Sequence, residues 1–255
     1  MGTGLTVTKA DGIARIVLNS PPINLFTFDF FLETARVISD LAVDDEVRVV
    51  LISSANPEFF IAHFDVAAIL TFPTQTAPAT ELNSYHVMCE ALRTMPKATI
   101  AVIEGRVGGG GSELALSCDM RYAAPHSRFR MPAARLGLGY DIDNMKNILN
   151  NLGPQATAEA FYTARVYDAP SAQAMGMVLA VVDDVFAHCT ALAQEIATNA
   201  PLTIQAAKKT LVALADDEKD MMSVKTSIDA CFKSTDYAEG RLAFAQKRSP
   251  LFTGH

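Results

Sequence analysis

The sequence predicts a wound α/β fold of repeated strand–strand–helix units, followed by a helical C-terminal part. Up to about residue 184, short apolar segments that indicate buried strands alternate with amphipathic helical segments. Beyond that point apolar side chains recur at helical spacing to the end of the chain. Strands and helices in this order are typical of a sheet whose faces are covered by helices.

The predicted elements begin with a hairpin and continue with helices and strands in alternation. An Asp-Gly pair between the first two strands favours a tight turn. The second helix is expected to end before Pro96, because proline cannot continue a helix. The predicted strands are residues 5–9, 13–19, 47–53, 99–103 and 119–124, and the predicted helices are residues 28–42 and about 80–95.

The C-terminal part is predicted to be a separate helical region. Pro201 opens a helix at the first position, where proline is tolerated. We therefore expect a core over residues 1–198 and a helical oligomerisation region over residues 199–255. The second region carries apolar side chains on what the pattern indicates is a peripheral appendage: Leu211, Val212, Leu214, Ile228 and Phe232.

Composition narrows the classes of function. The 255 residues are 50% hydrophobic and 19% charged, which is enough for a large core. The net charge of −7 argues against a general nucleic-acid binder, although local cations and backbone N–H groups can still bind an anionic ligand. No apolar run reaches the roughly 18 residues that span a bilayer, and no leader opens the chain. We expect a cytoplasmic protein that binds no membrane, with four reduced cysteines.

The string VGGGGSE at residues 107–113 lies between a predicted strand and a predicted helix at about residues 112–117. Glycines let the backbone turn sharply and approach a ligand, and the N–H groups at a helix start favour an anion. A phosphate-binding loop would need a lysine here, and a nucleophile elbow would need a glycine where Leu114 stands. An oxyanion hole and a plain tight turn both remain open.

A second string, FIAHFD at residues 60–65, completes a pattern that resembles the crotonase (enoyl-CoA hydratase/isomerase) superfamily. Members carry an F-x-A-G-x-D segment and, some forty-five residues later, a G-G-G-x-E segment. The segments PINL at 22–25, CDMRYAA at 118–124, YAEG at 237–240 and FAQKR at 244–248 match further motifs in the same order. The resemblance therefore covers nearly the whole chain. His63 replaces the usual glycine.

The resemblance implies a crotonase-like spiral of ββα units with a C-terminal helical trimerisation region, and a homotrimer or dimer of trimers (a hexamer). It also implies an acyl-CoA thioester substrate whose carbonyl oxygen is bound by the backbone N–H groups of Phe64 and Gly110. The residues expected at the CoA thioester are Ile23, Leu25, Ala62, Asp65 and Lys247. Coenzyme A is part of the substrate, so no separate cofactor and no metal are expected.

Glu113 matches one of the two glutamates that transfer protons in hydratases. A carboxylate in the first turn of a helix also interacts favourably with the helix dipole, which is the structural alternative. Given the resemblance, we favour a catalytic or substrate-ordering role. A bound acyl chain would exclude water from Glu113 and raise its pKa towards working pH, as acid–base chemistry requires.

The sequence departs from the hydratase pattern at the second glutamate, where Ala133 follows Pro132. Residues 129–148 and the C-terminal end instead resemble methylmalonyl-CoA decarboxylase, in which a tyrosine falls at Tyr140. Asp141 and Asp143 are further acid–base candidates, with a solvated helix cap as the alternative.

The predicted function is an enoyl-CoA hydratase-type lyase with Glu113, Phe64, Gly110, Tyr140 and Asp141 as catalytic candidates. The alternatives are a decarboxylase or C–C bond hydrolase of the same fold, and a non-catalytic acyl-CoA-binding homologue. A Tyr140, Asp141 or Asp143 side chain that lies beside Glu113 in the acyl pocket would favour the enzymes over the binding protein.

Overall fold

The computed structural model describes residues 4–64, 84–219 and 221–255. Its largest sheet has six strands in the order β1-β2-β4-β7-β9-β12. The first pair is antiparallel and every other pair is parallel. These strands are β1 Gly4–Ala10, β2 Ile13–Asn19, β4 Val49–Ser54, β7 Ala98–Ile103, β9 Met120–Ala123 and β12 Ala180–Val181.

Two smaller sheets lie beside the large one. A four-stranded sheet has the order β11-β10-β8-β5, and a parallel pair joins β3 to β6. Their strands are β3 Leu25–Phe26, β5 Phe59–Ile61, β6 His63–Phe64, β8 Arg106–Gly108, β10 Arg128–Arg130 and β11 Tyr167–Asp168. From β7 to β10, consecutive strands alternate between the large sheet and the four-stranded sheet, which agrees with the predicted repetition of ββα units.

Ten helices are present in the described part of the chain. They are α1 Phe28–Ala42, α2 Ser84–Thr94, α3 Gly110–Leu116, α4 Ala133–Leu136, α5 Ile142–Thr163, α6 Ala169–Ala174, α7 Val185–Ala197, α8 Pro201–Ala215, α9 Met222–Lys233 and α10 Thr235–Gln246. Helix α5 is interrupted at Gly153, which has a φ of 74° and is followed by Pro154. None of these helices is both long and apolar enough to cross a membrane.

The local sequence explains the element boundaries that position the site. Asp11 and Gly12 both have positive φ angles, as the predicted two-residue hairpin turn requires. Helix α1 has the predicted limits, and the Thr27 side chain caps it by accepting a hydrogen bond from the Phe30 N–H. Strand β7 is buried at every position because helices cover both faces of the parallel sheet.

The core lies between the large sheet and the packed pair of helices α1 and α2. A second apolar cluster lies on the other face of the sheet, under helix α7. The largest side chains with almost no exposed surface are Phe26, Phe31, Phe60, Leu51, Met88 and Leu92. The core therefore reaches both helix α2 and the β5 segment, the two elements that flank the glycine-rich string.

Helix α8 is joined to the core through a buried lysine. The Lys208 Nζ donates to the carbonyl oxygens of Leu92 and Lys97, both at 3.1 Å, and to Asp119 Oδ2 at 2.9 Å. Lys208 is 6% exposed, so the three acceptors compensate for the cost of burying its charge. The start of helix α8 at Pro201 agrees with the sequence, while the division into residues 1–198 and 199–255 stays a prediction.

We predict that Lys208→Ala lowers the free energy of unfolding by about 2–4 kcal/mol, because it leaves buried acceptors without a donor. Chemical denaturation at fixed protein concentration measures this change. Lys209→Ala is the matched control, since Lys209 is the exposed neighbour on the same helix. A Lys208→Ala stability within 0.5 kcal/mol of the control would contradict the role given to the buried contacts.

Candidate active site

The glycine-rich string forms the turn from strand β8 into helix α3. Gly109 has a φ of 50°, and the helix begins at Gly110. A Cβ on Gly108 would lie 2.2 Å from the Ala62 oxygen, and one on Gly111 would lie 2.6 Å from the Ile61 Cβ. The turn therefore packs so closely on residues 61–62 that side chains at these glycines are excluded.

A polar core residue fixes residues 59–62 from the other side. The Asn24 amide nitrogen donates to the Phe60 oxygen at 3.1 Å and to Ser54 Oγ at 2.6 Å, and its Oδ1 accepts from the Ser20 N–H. The Asn24 carbonyl accepts from the Ala62 N–H. Asn24 adopts a φ of 52°, which asparagine tolerates better than most residues.

The two strings meet as the sequence predicts. Strand β3 pairs with β6, with Leu25 opposite His63 and Phe26 opposite Phe64, so the segment containing Ile23 and Leu25 lies beside Phe64. Helix α3 lies against strand β6. The backbone positions of Phe64 and Gly110 are thus brought to one place. The side chains of His63 and Phe64, and the whole of Asp65, lie outside the described residues.

The Gly110 N–H is available to a ligand. As the first residue of helix α3 it has no intrahelical carbonyl in reach. Within the described ranges, no other residue accepts a hydrogen bond from it. A free N–H at a helix start, on a rigid turn, has the character of one donor of an oxyanion hole.

Glu113 lies one helical turn after Gly110 and is 3% exposed. Its Oε2 has no hydrogen-bond partner among residues 4–64, 84–219 and 221–255. Burial raises the pKa of Glu113 to about 8; the nearby hydroxyls of Tyr85 and Tyr140 oppose that rise, and the charge of Asp141 adds to it. An orphaned buried carboxyl with a pKa near neutrality is typical of an acid–base group.

Two tyrosines flank the Glu113 carboxyl. Tyr140 packs edge-on against Phe161, with ring centroids 4.8 Å apart. The Tyr85 hydroxyl donates to the Gly110 oxygen at 3.2 Å, and its ring lies 5.0 Å from that of Phe31. Burial raises the pKa of both phenols well above the ordinary value, so both stay neutral donors. Sequence reasoning did not identify Tyr85, because no spacing links the first turn of α2 to Glu113.

A family model described as enoyl-CoA hydratase/isomerase matches residues 8–255. The chain belongs to the enoyl-CoA hydratase/isomerase family. The resemblance predicted from the motifs of the sequence is thereby confirmed.

Two curated relatives and two solved structures of this family illustrate the similarity. The probable mitochondrial enoyl-CoA hydratase 2 of Arabidopsis thaliana is 30% identical, over 96% of this chain and 82% of its own. Carnitinyl-CoA dehydratase of Escherichia coli (strain K12) is 28% identical over the full length of both chains.

The structural similarity extends over the same length. An enoyl-CoA hydratase/carnithine racemase from Magnetospirillum magneticum superposes with a TM-score of 0.91, at 29% identity over 100% of this chain and 97% of that one. DspI of Pseudomonas aeruginosa gives 0.89, at 28% identity over 98% and 97%. The crotonase-like spiral predicted from the sequence is therefore confirmed.

Against the hydratase pattern of the family, the position of the second glutamate is apolar. Ala133 is 3% exposed and begins helix α4, next to Pro132, which contacts the Gly109 turn. Neither residue can transfer a proton. The titratable groups that the described residues bring to Glu113 are instead the hydroxyls of Tyr85 and Tyr140, the Cys89 thiol and the Asp141 carboxylate.

Asp141 and Asp143 lie at the exposed start of helix α5. The Asp141 side chain accepts from the N–H groups of Asp143 and Asn144, so it is the helix cap that the sequence offered as the alternative to catalysis. Its charge still acts on Glu113. With His86 the two aspartates offer three potential metal-ligand atoms within 4.8 Å of one another.

Lys247 is exposed at the end of helix α10, where its φ of 54° terminates the helix. Its backbone N–H bonds to the Phe244 oxygen of the same helix. Within a single chain the structure thus shows Lys247 as an exposed helix-end residue. A role at CoA stays a prediction.

We predict that Glu113→Gln stabilises the protein increasingly as pH rises. Between the ordinary glutamate pKa of about 4.3 and the folded value of about 8, the folded state binds a proton that the unfolded state does not. The wild-type protein therefore loses about 1.4 kcal/mol per pH unit over this window. Glutamine is always neutral and shows no such loss.

Unfolding of both proteins at pH 5, 6.5 and 8, at fixed protein concentration, measures the effect. The two should be nearly equal at pH 5 and should differ by a few kcal/mol at pH 8. A difference that does not change with pH would mean that Glu113 is not buried in its neutral form.

Proposed function

We propose that the protein is an acyl-CoA lyase of the hydratase type, which adds water across, or removes it from, the α,β positions of a CoA thioester. The observation that carries this proposal is the buried Glu113 carboxyl, one helical turn after the Gly110 N–H at the start of helix α3. Neither the Glu113 Oε2 nor the Gly110 N–H has a hydrogen-bond partner among the described residues. The hydratase and dehydratase names of the full-length relatives support it.

The proposed oxyanion hole consists of the N–H groups of Phe64 and Gly110. Adding or removing a group at Cβ of a thioester passes through an enolate, whose charge collects on the thioester oxygen. Two fixed donors stabilise that charge without reorganising during the reaction. The contact between strand β6 and helix α3 supports the pairing of these two positions.

Glu113 performs both proton transfers in this proposal. In hydration its carboxylate takes a proton from water while the oxygen of that water bonds to Cβ, and the resulting acid returns the proton to Cα. In dehydration the same carboxylate takes the α-proton and delivers it to the leaving hydroxyl. Either direction starts from ionised Glu113. One carboxyl therefore suffices, provided both transfers occur on the same face of the substrate.

We predict that kcat/KM for crotonyl-CoA rises with pH through about 8, because the reaction needs the ionised form of a group whose pKa is raised to about 8. Glu113→Gln should lower kcat by 10²–10⁴-fold and leave the affinity for acetyl-CoA, measured by calorimetry, nearly unchanged. The exposed Glu195→Gln is the matched control. A kcat of Glu113→Gln equal to that of the control would remove Glu113 from the mechanism.

A second candidate function is decarboxylation of a malonyl-type CoA thioester. The observation that favours it is Tyr140, whose hydroxyl lies within hydrogen-bonding reach of Glu113, while buried Ala133 stands at the position of the second glutamate. Loss of CO₂ leaves its bonding electrons on Cα as the enolate, so no base is needed. A raised pKa keeps most of Glu113 protonated at neutral pH, ready to protonate Cα. Asp141 and Asp143 are exposed, which weakens their repulsion of a substrate carboxylate.

The two reactions make opposite predictions for pH and for Tyr140→Phe. A decarboxylase needs protonated Glu113, so kcat/KM for methylmalonyl-CoA should fall as pH rises through about 8. Tyr140→Phe should then lower turnover of methylmalonyl-CoA more than that of crotonyl-CoA, since the hydroxyl would orient the carboxylate. Equal losses on both substrates, with a rate that rises with pH, would exclude decarboxylation.

The position of Tyr140 also favours an enzyme over a non-catalytic acyl-CoA-binding homologue, and a C–C bond hydrolase remains a further alternative within the fold.

We propose a homotrimer or dimer of trimers that needs no cofactor beyond the substrate's CoA. The apolar groove between helices α8, α9 and α10 supports the assembly: Leu211, Phe232 and Phe244 are 68%, 61% and 87% exposed in the single chain.

A further inference from the structure

Tyr85, in the first turn of helix α2, contacts both parts of the site. We propose that Tyr85 is a positioning residue, which fixes the Gly110 turn and the Glu113 carboxyl in one arrangement. The inference rests on the proposed function of these two residues, to which it adds a third. Tyr85 acts through them and need not touch the substrate.

The contact with Gly110 differs from those of the neighbouring glycines. A Cβ on Gly110 would lie 3.2 Å from the Tyr85 Cε2, and the three nearest atoms all belong to Tyr85. Gly108 and Gly111 meet residues 61–62 instead. The Tyr85 hydroxyl also donates to the Gly110 oxygen at 3.2 Å. Tyr85 is therefore the side chain that determines the space around the Gly110 peptide.

The Tyr85 ring is itself fixed by the core. It lies 5.0 Å from the Phe31 ring, which is 2% exposed and packs on Phe26. Helices α1 and α2 carry these rings and are packed together. Because interior side chains occupy single rotamers, the hydroxyl is placed by the same contacts that build the core.

Among the described residues, four titratable groups face Glu113: Tyr85 and Cys89 from helix α2, Tyr140 before helix α5, and Asp141 at the cap of that helix. Burial keeps the Cys89 thiol neutral, and Asp141 opposes ionisation of Glu113. The Tyr85 hydroxyl favours ionisation and lowers the pKa of Glu113 against the effect of burial. Removing that hydroxyl should therefore raise the pKa of Glu113.

One hydroxyl proton serves two acceptors in turn. With Glu113 neutral, the Tyr85 hydroxyl can donate to the Gly110 oxygen, which lies 3.2 Å away. Once Glu113 ionises, the hydroxyl can turn to the carboxylate, since a phenol has a single donor and a charged acceptor forms the stronger bond. Tyr85 thus remains paired in both protonation states of the cycle.

The first test needs no substrate. The free energy of unfolding is measured against pH for Tyr85→Phe and for the double variant Tyr85→Phe/Glu113→Gln. The pH at which the difference between the two stops growing gives the folded-state pKa of Glu113 without the Tyr85 hydroxyl. The difference between wild type and Glu113→Gln gives it with the hydroxyl. We expect this folded-state pKa to be higher by about one pH unit in the Tyr85→Phe background. An unchanged pKa of Glu113 would overturn the link between Tyr85 and Glu113.

The second test uses turnover. Tyr85→Phe should lower kcat for crotonyl-CoA about 10-fold or more while KM changes less than about 3-fold, because misplacement affects the transition state most. The pH at which kcat/KM for crotonyl-CoA reaches half of its maximum should be higher in Tyr85→Phe than in the wild type. Tyr167→Phe is the matched control, since it removes another hydroxyl of a buried tyrosine, 3.3 Å from Thr163 Oγ1, with no contact to Glu113 among the described residues. Equal kcat for both variants would overturn the positioning role.

The two tests separate this inference from the proposed reaction. If neither crotonyl-CoA nor methylmalonyl-CoA is turned over, the proposed function fails while the stability test still decides whether Tyr85 acts on Glu113. If the wild-type protein turns over one of these substrates but Tyr85→Phe does not change the folded-state pKa of Glu113, the proposed function stands and the role of Tyr85 is wrong.

Discussion

The close packing of the glycine-rich turn on residues 58–62 is the constraint on which the site depends. A Cβ at Gly105, Gly108 or Gly111 would lie 2.2, 2.2 or 2.6 Å from atoms of that segment, closer than side chains permit. The contact sets the position of helix α3 relative to strand β6. This arrangement brings the Gly110 N–H and the Glu113 carboxyl close to the backbone of Phe64, which lies some forty-five residues earlier in the chain.

The same packing leaves Glu113 in a costly environment. Helix α3 lies in the core, and every residue from Gly111 to Leu116 is buried. The Glu113 carboxyl is therefore removed from water, and its Oε2 has no hydrogen-bond partner among the described residues. A structural carboxylate in this position would be expected to find an ion-pair partner. Instead, two neutral phenols and the helix-capping Asp141 lie near it, and burial raises its pKa to about 8. Stability is lost at the point where chemistry is proposed.

The C-terminal helices are tied to the core by specific polar contacts as well as by apolar packing. Lys208 reaches past helix α2 to Asp119, and Asp119 also accepts from the Thr99 N–H at the start of strand β7. One polar cluster around the buried Lys208 thus joins helix α8, strand β7 and the end of helix α2. The opposite end of helix α2 carries Tyr85, so the helix that positions the site is fixed at both ends.

The sequence by itself determined the fold family, the hairpin and the limits of helix α1, because apolar periodicity and ordered motifs are local properties of the chain. The resemblance predicted that the backbones of Phe64 and Gly110 come together, and the sequence left Asp141 as either an acid–base candidate or a helix cap. Only the tertiary structure decided which groups surround Glu113. Tyr85 lies 28 residues from Glu113 in the chain and no pattern links the two, whereas Tyr140, 27 residues away, was a candidate whose position the sequence left open. Their approach results from how helix α2 and the start of helix α5 pack on helix α3, and the raised pKa of Glu113 follows from that burial.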